Sequence, residues 1–218
     1  MAGPTTNQGV YDVVEASALL GISVERLVSW ANPTVGGLEA IVRPTFDRAF
    51  SFIDLVSLRV AVELAGNGVT DRDLRTGIAQ LRHHFETPRP LAQAPVIEAL
   101  ATSGSSFLAD LGEGYLDIGK GRQGVFQDVA RLYLRHIQFG SDGQPNRWAP
   151  SDDVLLDPLI QAGAPCVTGT RIPTTTISES LLDDTVEDVA HEFHLTIAQV
   201  RNAATFQQRL DAGYSLAA

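Results

Sequence analysis

Apolar residues recur with a helical period through most of the first 85 positions. In "YDVVEASALLGISVERLVSWANP", Val13, Val14, Ala16, Leu19 and Leu20 fall on one side of a helix. Gly21 interrupts it, the residue type that best supplies the positive φ of a tight turn. Ser23 is a good N-cap for a second helix, which buries Leu27 and Trp30 and stops at Pro33. Two short helices across a Gly turn form a helix-turn-helix candidate. The period breaks in "GGLEAIVRPTFDRAF", where Gly36-Gly37 and Pro44 bound a β-prone piece, a small hairpin or wing. Helical spacing resumes in "SFIDLVSLRVAVELAGNGVT", with Ser51 and Asp54 as a capping box and Asn67-Gly68 as the stop. Thr70 and Asp73 repeat that signal ahead of "LRTGIAQLRHHF", a helix expected to end near Thr87-Pro88.

Punctuation residues then divide the chain. "TPRPLAQAP" holds three prolines and reads as a linker, and "SDGQPNRWAPSDD" reads as a second one. Between them "YLDIGKGRQGVFQDV" suggests a hairpin around a Gly-rich turn, and "QDVARLYLRHIQF" a helix. Past residue 150, Thr185 with Asp188 and Thr196 with Gln199 cap two further helices. Their stripes are Val186, Val189, Ala190 and Phe193, then Ile197, Val200, Ala203, Ala204 and Phe206. The expected fold is mainly α with small β elements, an α+β chain in three parts. A winged helix-turn-helix domain spans 1–87, a linker and middle hairpin/helix segment 88–150, and a helix-turn-helix-like domain 151–218.

Composition narrows the class. Of 218 residues 44% are hydrophobic and 19% charged, which suits a folded chain and not a disordered one. No apolar run approaches the roughly 20 residues of a membrane helix, and the first residues show no secretory signal pattern. A lone cysteine, Cys166, excludes an internal disulfide framework and points to the reducing cytoplasm. The net charge of −10 is uneven: residues 151–218 hold three arginines against ten carboxylates, whereas the first 90 residues are close to neutral. An acidic C-terminal part repels nucleic acid, and the N-terminal part is left able to present a basic face.

Candidate chemistry is sparse. "GYLDIGKG" fits G-x-x-x-x-G-K, but Gly121 stands where a phosphate loop needs Ser or Thr for magnesium, so Lys120 is read as part of a hairpin turn. His191 and His194 in "HEFH" are one residue short of H-E-x-x-H; they can share a helix face, yet no third ligand follows. His83 and His84 are adjacent and point apart. Cys166 has no neighbouring base and reads as a small buried residue. Asp183, Asp184 and Asp188 suit a helix N-terminus. In "GTRIP", Gly169 and Pro173 shape a turn into an extended segment, with Arg171 bonding nearby carbonyls or an acidic group. No catalytic residue, metal site or cofactor is expected.

The helix-turn-helix candidate carries more. Ser23, Arg26 and Ser29 lie on the outward side of its second helix, and Arg43 and Arg48 sit on or near the wing. They are the candidate DNA-binding residues, suited to major-groove entry and phosphate contacts; a small packing module with solvated arginines is the alternative.

The stretch from "YDVVEASALLGIS" to "DLVSLRVAVELAGNG" resembles the winged-helix domain of MerR-type regulators: an aromatic start, Ser17 four before Gly21, the "GIS" turn, Trp30 closing the second helix. Where that family's recognition helix usually reads Thr-Leu-Arg, this chain has Arg26-Leu27-Val28. Residues 157–203, with "DP", Gly163-Ala164-Pro165 and "GTRIP", resemble a DUF433 domain. The combination is similar to a VapB-type antitoxin. The resemblance implies a PIN-like ribonuclease toxin as partner, operator DNA as ligand, and a homodimer, since operators are commonly two-fold symmetric. Arg201 and Arg209, in the acidic domain, are then candidate toxin-binding residues able to pair with a carboxylate cluster, or else ordinary surface residues. The terminal "YSLAA" resembles tails read by bacterial Clp proteases, and also an ordinary flexible end. Two other readings stay open: a MerR-like transcriptional regulator without a toxin, and an enzyme using the Lys120 loop.

Overall fold

The computed structural model describes residues 9–98 and 136–217, with side chains to residue 213. The Gly-rich hairpin, the Lys120 loop and Ala218 lie outside the described residues. The fold is α+β. Its elements are β1 (Val10–Asp12), α1 (Val13–Leu20), α2 (Val24–Ala31), β2 (Ala49–Ser51), α3 (Phe52–Gly66), α4 (Asp71–His84), β3 (Ile137–Phe139), β4 (Pro145–Ser151), β5 (Val154–Leu156), β6 (Cys166–Val167), α5 (Thr174–Ser180), α6 (Val186–Glu192) and α7 (Ile197–Ala217). β1 and β2 form one antiparallel pair; β3-β4-β5-β6 form an antiparallel meander.

Helix ends follow the caps that the sequence carries. Asp12 accepts from Val14 N and Glu15 N, both at 2.8 Å, and starts α1. Gly21 at φ 67 closes it, with the Gly21 and Ile22 amides returning to Ala18 O and Ser17 O. Ser23 caps α2 through the Arg26 amide, and Ser51 and Asp54 make the expected capping box on α3. Thr70 caps α4 through the Asp73 amide. That helix ends at His84, three residues ahead of Thr87, because Glu86 turns to φ 49. Thr185 caps α6 through the Asp188 amide, and Thr196 and Gln199 bond reciprocally at the start of α7.

One apolar core runs through both ends of the chain. Tyr11, Leu27, Trp30, Phe52, Leu55 and Leu58 bury themselves between the N-terminal helices; Trp148, Val154 and Leu156 of the meander and Phe206 and Leu210 of α7 belong to the same cluster. A smaller core joins Val167, Ile177, Val189, Val200 and Ala203. α7 therefore serves both. Its start closes the C-terminal core and its end packs on α1, with Gly213 against Ala18. A buried bond from Tyr11 Oη to Gly163 O, 2.8 Å long, joins the halves again.

Several expectations change. "TPRPLAQAP" is no solvated tether: Leu91 and Ala92, in a short 3-10 turn, and Val96 and Ile97 beyond it are core residues. "SDGQPNRWAPSDD" contains β4, whose Trp148 is 3% exposed. The chain expected to be helical up to Phe139 is strand by Ile137. The β-prone stretch after Pro33 forms no hairpin of its own beyond a single Phe46–Ala49 bridge; β2 pairs with β1 instead. The threonines after Pro173 are helix α5 and not extended chain. Pro173 sits at its N-cap and buried Thr174 donates to Gln207 Oε1 at 2.7 Å, so packing overrides the poor helix propensity of Thr. Among the described residues no helix is long and apolar enough to cross a membrane.

Candidate functional site

α2 displays Glu25, Arg26, Val28 and Ser29 to solvent and buries Leu27 and Trp30. Its buried side is held from α4. Asp71, the first residue of α4, accepts from Trp30 Nε1 at 2.9 Å and from Arg26 Nη2 at 3.1 Å. The Arg26 guanidinium also lies 4.8 Å from the Trp30 ring centroid. Both side chains of the Arg26–Asp71 pair stay half exposed, so Arg26 is held to α4 while its outer edge faces solvent. One helical turn on, Arg75 is 3% exposed. Its guanidinium donates to Ser29 O (2.6 Å), Asn32 O (2.9 Å) and Glu39 O (2.8 Å). A cation there also suits the negative end of the α2 dipole.

Arg82, seven residues later, repeats the device on Ala40 O (2.7 Å) and Ile41 O (2.6 Å). Burial lowers the basicity of Arg82, and Glu39 opposes that shift. Arg89 pairs with Asp54, which is fully buried, and donates to Thr45 Oγ1 at 2.6 Å. Asp54 also accepts from Thr45 N and Ser51 N. Three arginines thus fasten the connection of residues 32–45 between α2 and β2. The signal was present in the sequence: Arg75 and Arg82 share the stripe of Leu74, Ile78 and Leu81, where a guanidinium needs buried acceptors.

The other candidates divide. Ser23 spends its hydroxyl as the α2 cap. Ser29 is exposed and lends its carbonyl to Arg75. Arg43 is well exposed and pairs loosely with Glu39 at 3.0 Å. Arg48 stands exposed at φ 61 in the Phe46–Ala49 turn, with no ion pair among the described residues. It shares a groove of about 650 Å³ with Val13, Val28, Ala31, Phe46 and Phe50.

In the C-terminal part Arg201 and Arg209 are both exposed on α7, Arg209 lying 5.5 Å from the Phe206 ring centroid. Arg171 does not brace the "GTRIP" turn as expected. Thr170 Oγ1 does, donating to Val167 O at 2.8 Å and accepting from Ile172 N at 3.0 Å, because it sits inside the turn while Arg171 is exposed. His194 is off the helix at φ 55, since α6 ends at Glu192, so His191 and His194 share no helix face. Burial pushes the Cys166 thiol up to about 11, which keeps it protonated and unreactive. The residues that sequence reasoning missed are Tyr11, Asp71 and Arg75, all of which act by position.

Residues 154–206 match the family described as a protein of unknown function, DUF433, so a DUF433 domain is present. Among solved structures, the chain is similar to one titled as the X-ray crystal structure of Rv2018 from Mycobacterium tuberculosis. Its TM-score is 0.68 at 21% identity, covering 88% of this chain and 96% of that one. At that identity the likeness concerns the fold, which extends well beyond the DUF433 domain. No curated protein matches the chain.

Proposed function

We propose that this chain is the antitoxin of a type II toxin–antitoxin pair: it binds operator DNA through a MerR-like winged helix and neutralises a PIN-like ribonuclease through its DUF433 domain. The observation that supports this best is the mounting of α2. Its inner side is locked by Asp71 and Arg75 while Glu25, Arg26, Val28 and Ser29 face outward, a rigid helix presented for reading. Phosphate contacts fall to Arg43 and Arg48. On α7, Arg201 and Arg209 supply guanidinium forks for a carboxylate-rich metal site, whose acidic side chains a planar bidentate cation matches. A two-fold operator calls for a homodimer. The chain works in the cytoplasm, where both partners are found.

The test is co-expression with the product of the neighbouring reading frame. The two proteins should co-purify, and the complex should lack the ribonuclease activity that the partner shows alone. A chain that binds DNA but no ribonuclease is a MerR-like regulator without a toxin, and the antitoxin reading then falls.

A further inference from the structure

We infer that Val28 reads the methyl group of a thymine, and that this apolar contact, not a guanidinium, sets the base preference of α2. The inference rests on the DNA-binding reading above. Val28 stands where a polar residue would ordinarily face water, yet it is 44% exposed on the outward side of α2. It forms the apolar part of the wall with Val13, Ala31, Phe46 and Phe50, in the open groove between α2 and the turn before β2, which Asn32, Thr45, Asp47 and Arg48 also line.

The chemistry of that wall selects among base edges. An amino or carbonyl group pressed against it loses water and gains no partner, whereas the thymine C5 methyl loses nothing by leaving water. The wall is preorganised, because two methyls on Cβ hold one χ1 rotamer in a helix. Asn32 Nδ2 donates to Val28 O at 2.8 Å, and the Arg75 fork fixes the same end of α2. Arg26, the group on α2 suited to guanine O6 and N7, is tied to Asp71 and stacked on Trp30. The occupant is argued by charge as well. Arg48 lines the groove beside Asp47, and Arg43, which precedes Pro44 of its wall, pairs with Glu39 at 3.0 Å; both guanidiniums are exposed and can exchange these solvated partners for phosphates. Cations flanking an apolar floor suit phosphates flanking a methyl edge.

The experiment uses the full chain and a duplex recovered by rounds of binding selection from a random-sequence pool. Each thymine is replaced in turn by deoxyuridine, which removes only the methyl, and affinity is read by fluorescence anisotropy. At one position in each half-site the replacement should weaken the wild type about fourfold, the effect of one CH₂-sized apolar group. Val28→Ala should bind the thymine duplex more weakly and be indifferent to that replacement. Val28→Thr, which keeps one methyl, should fall between. Unchanged thermal melting shows that the variants are folded. If Val28→Ala keeps the full fourfold penalty, or the wild type is indifferent at every thymine, the inference is overturned while the DNA-binding reading stands. If selection recovers no duplex at all, both fall together.

Discussion

Replacing Tyr11 by Phe tests how the two ends of the chain are joined. The ring is 1% exposed and its hydroxyl donates to Gly163 O, 152 positions away, at 2.8 Å. Tyr11→Phe keeps the ring and leaves a buried carbonyl without its donor, a loss of about 1–3 kcal/mol at neutral pH. A second signature follows from protonation. Burial raises the Tyr11 pKa, and the Glu15 charge adds to the shift. In the unfolded chain tyrosine titrates near pH 10. Above that pH the unfolded state has lost a proton that the folded state keeps. The Tyr11 contribution is therefore complete below about pH 10 and falls as pH rises, by up to about 1.4 kcal/mol per unit. Tyr11→Phe lacks this slope, so the gap between the two proteins narrows by about that amount near pH 11. Urea unfolding followed by tryptophan fluorescence reads both effects, because Trp30 and Trp148 are 0% and 3% exposed. Stability curves that stay parallel from neutral to alkaline pH would refute the buried, protonated hydroxyl.

Arg75→Met strips three carbonyls of their donor and should cost on the order of 3 kcal/mol, a melting point lower by roughly 6–12 °C; Arg75→Lys should lie between it and wild type. Gly163→Ala places a Cβ on Tyr11 Oη at a residue with φ 91, so it should destabilise at least as much as Tyr11→Phe, and the double variant should recover part of the loss. Arg43→Ala with Arg48→Ala should weaken DNA binding alike on all sequences and reduce the slope of log affinity against log salt by about 2 in a titration. Arg201→Ala with Arg209→Ala should relieve inhibition of the partner ribonuclease without loss of melting temperature, since both side chains are exposed; full inhibition by the double variant removes them from the interface.

Much of the local structure was legible in residue order. Ser23, Ser51 with Asp54, Thr70, Thr185, and Thr196 with Gln199 cap the helices they were expected to cap, because capping is settled within four residues. The α+β class and the DUF433 domain were legible for a similar reason: periodicity and a compact motif are properties of contiguous stretches. Long-range roles were not. The outward helix position of Arg26 says nothing of its pairing with Asp71, 45 residues on. Arg75 and Arg82 stand on the apolar stripe of α4, but their partners could not be named from it, since the carbonyls that hold them belong to residues 29–41. Arg171 looked like the brace of its own turn, which Thr170 provides.

Sequence alone thus determined where the side-chain-capped helices α2, α3, α4, α6 and α7 begin, and that the C-terminal part is acidic, both of which depend on neighbours along the chain. The tertiary structure alone decided that proline-marked segments are packed and not tethers, that α7 serves both cores, and which arginines remain exposed. Proline forbids helix locally but does not forbid burial, and a guanidinium goes wherever the fold gathers enough carbonyl and carboxylate oxygens to receive it.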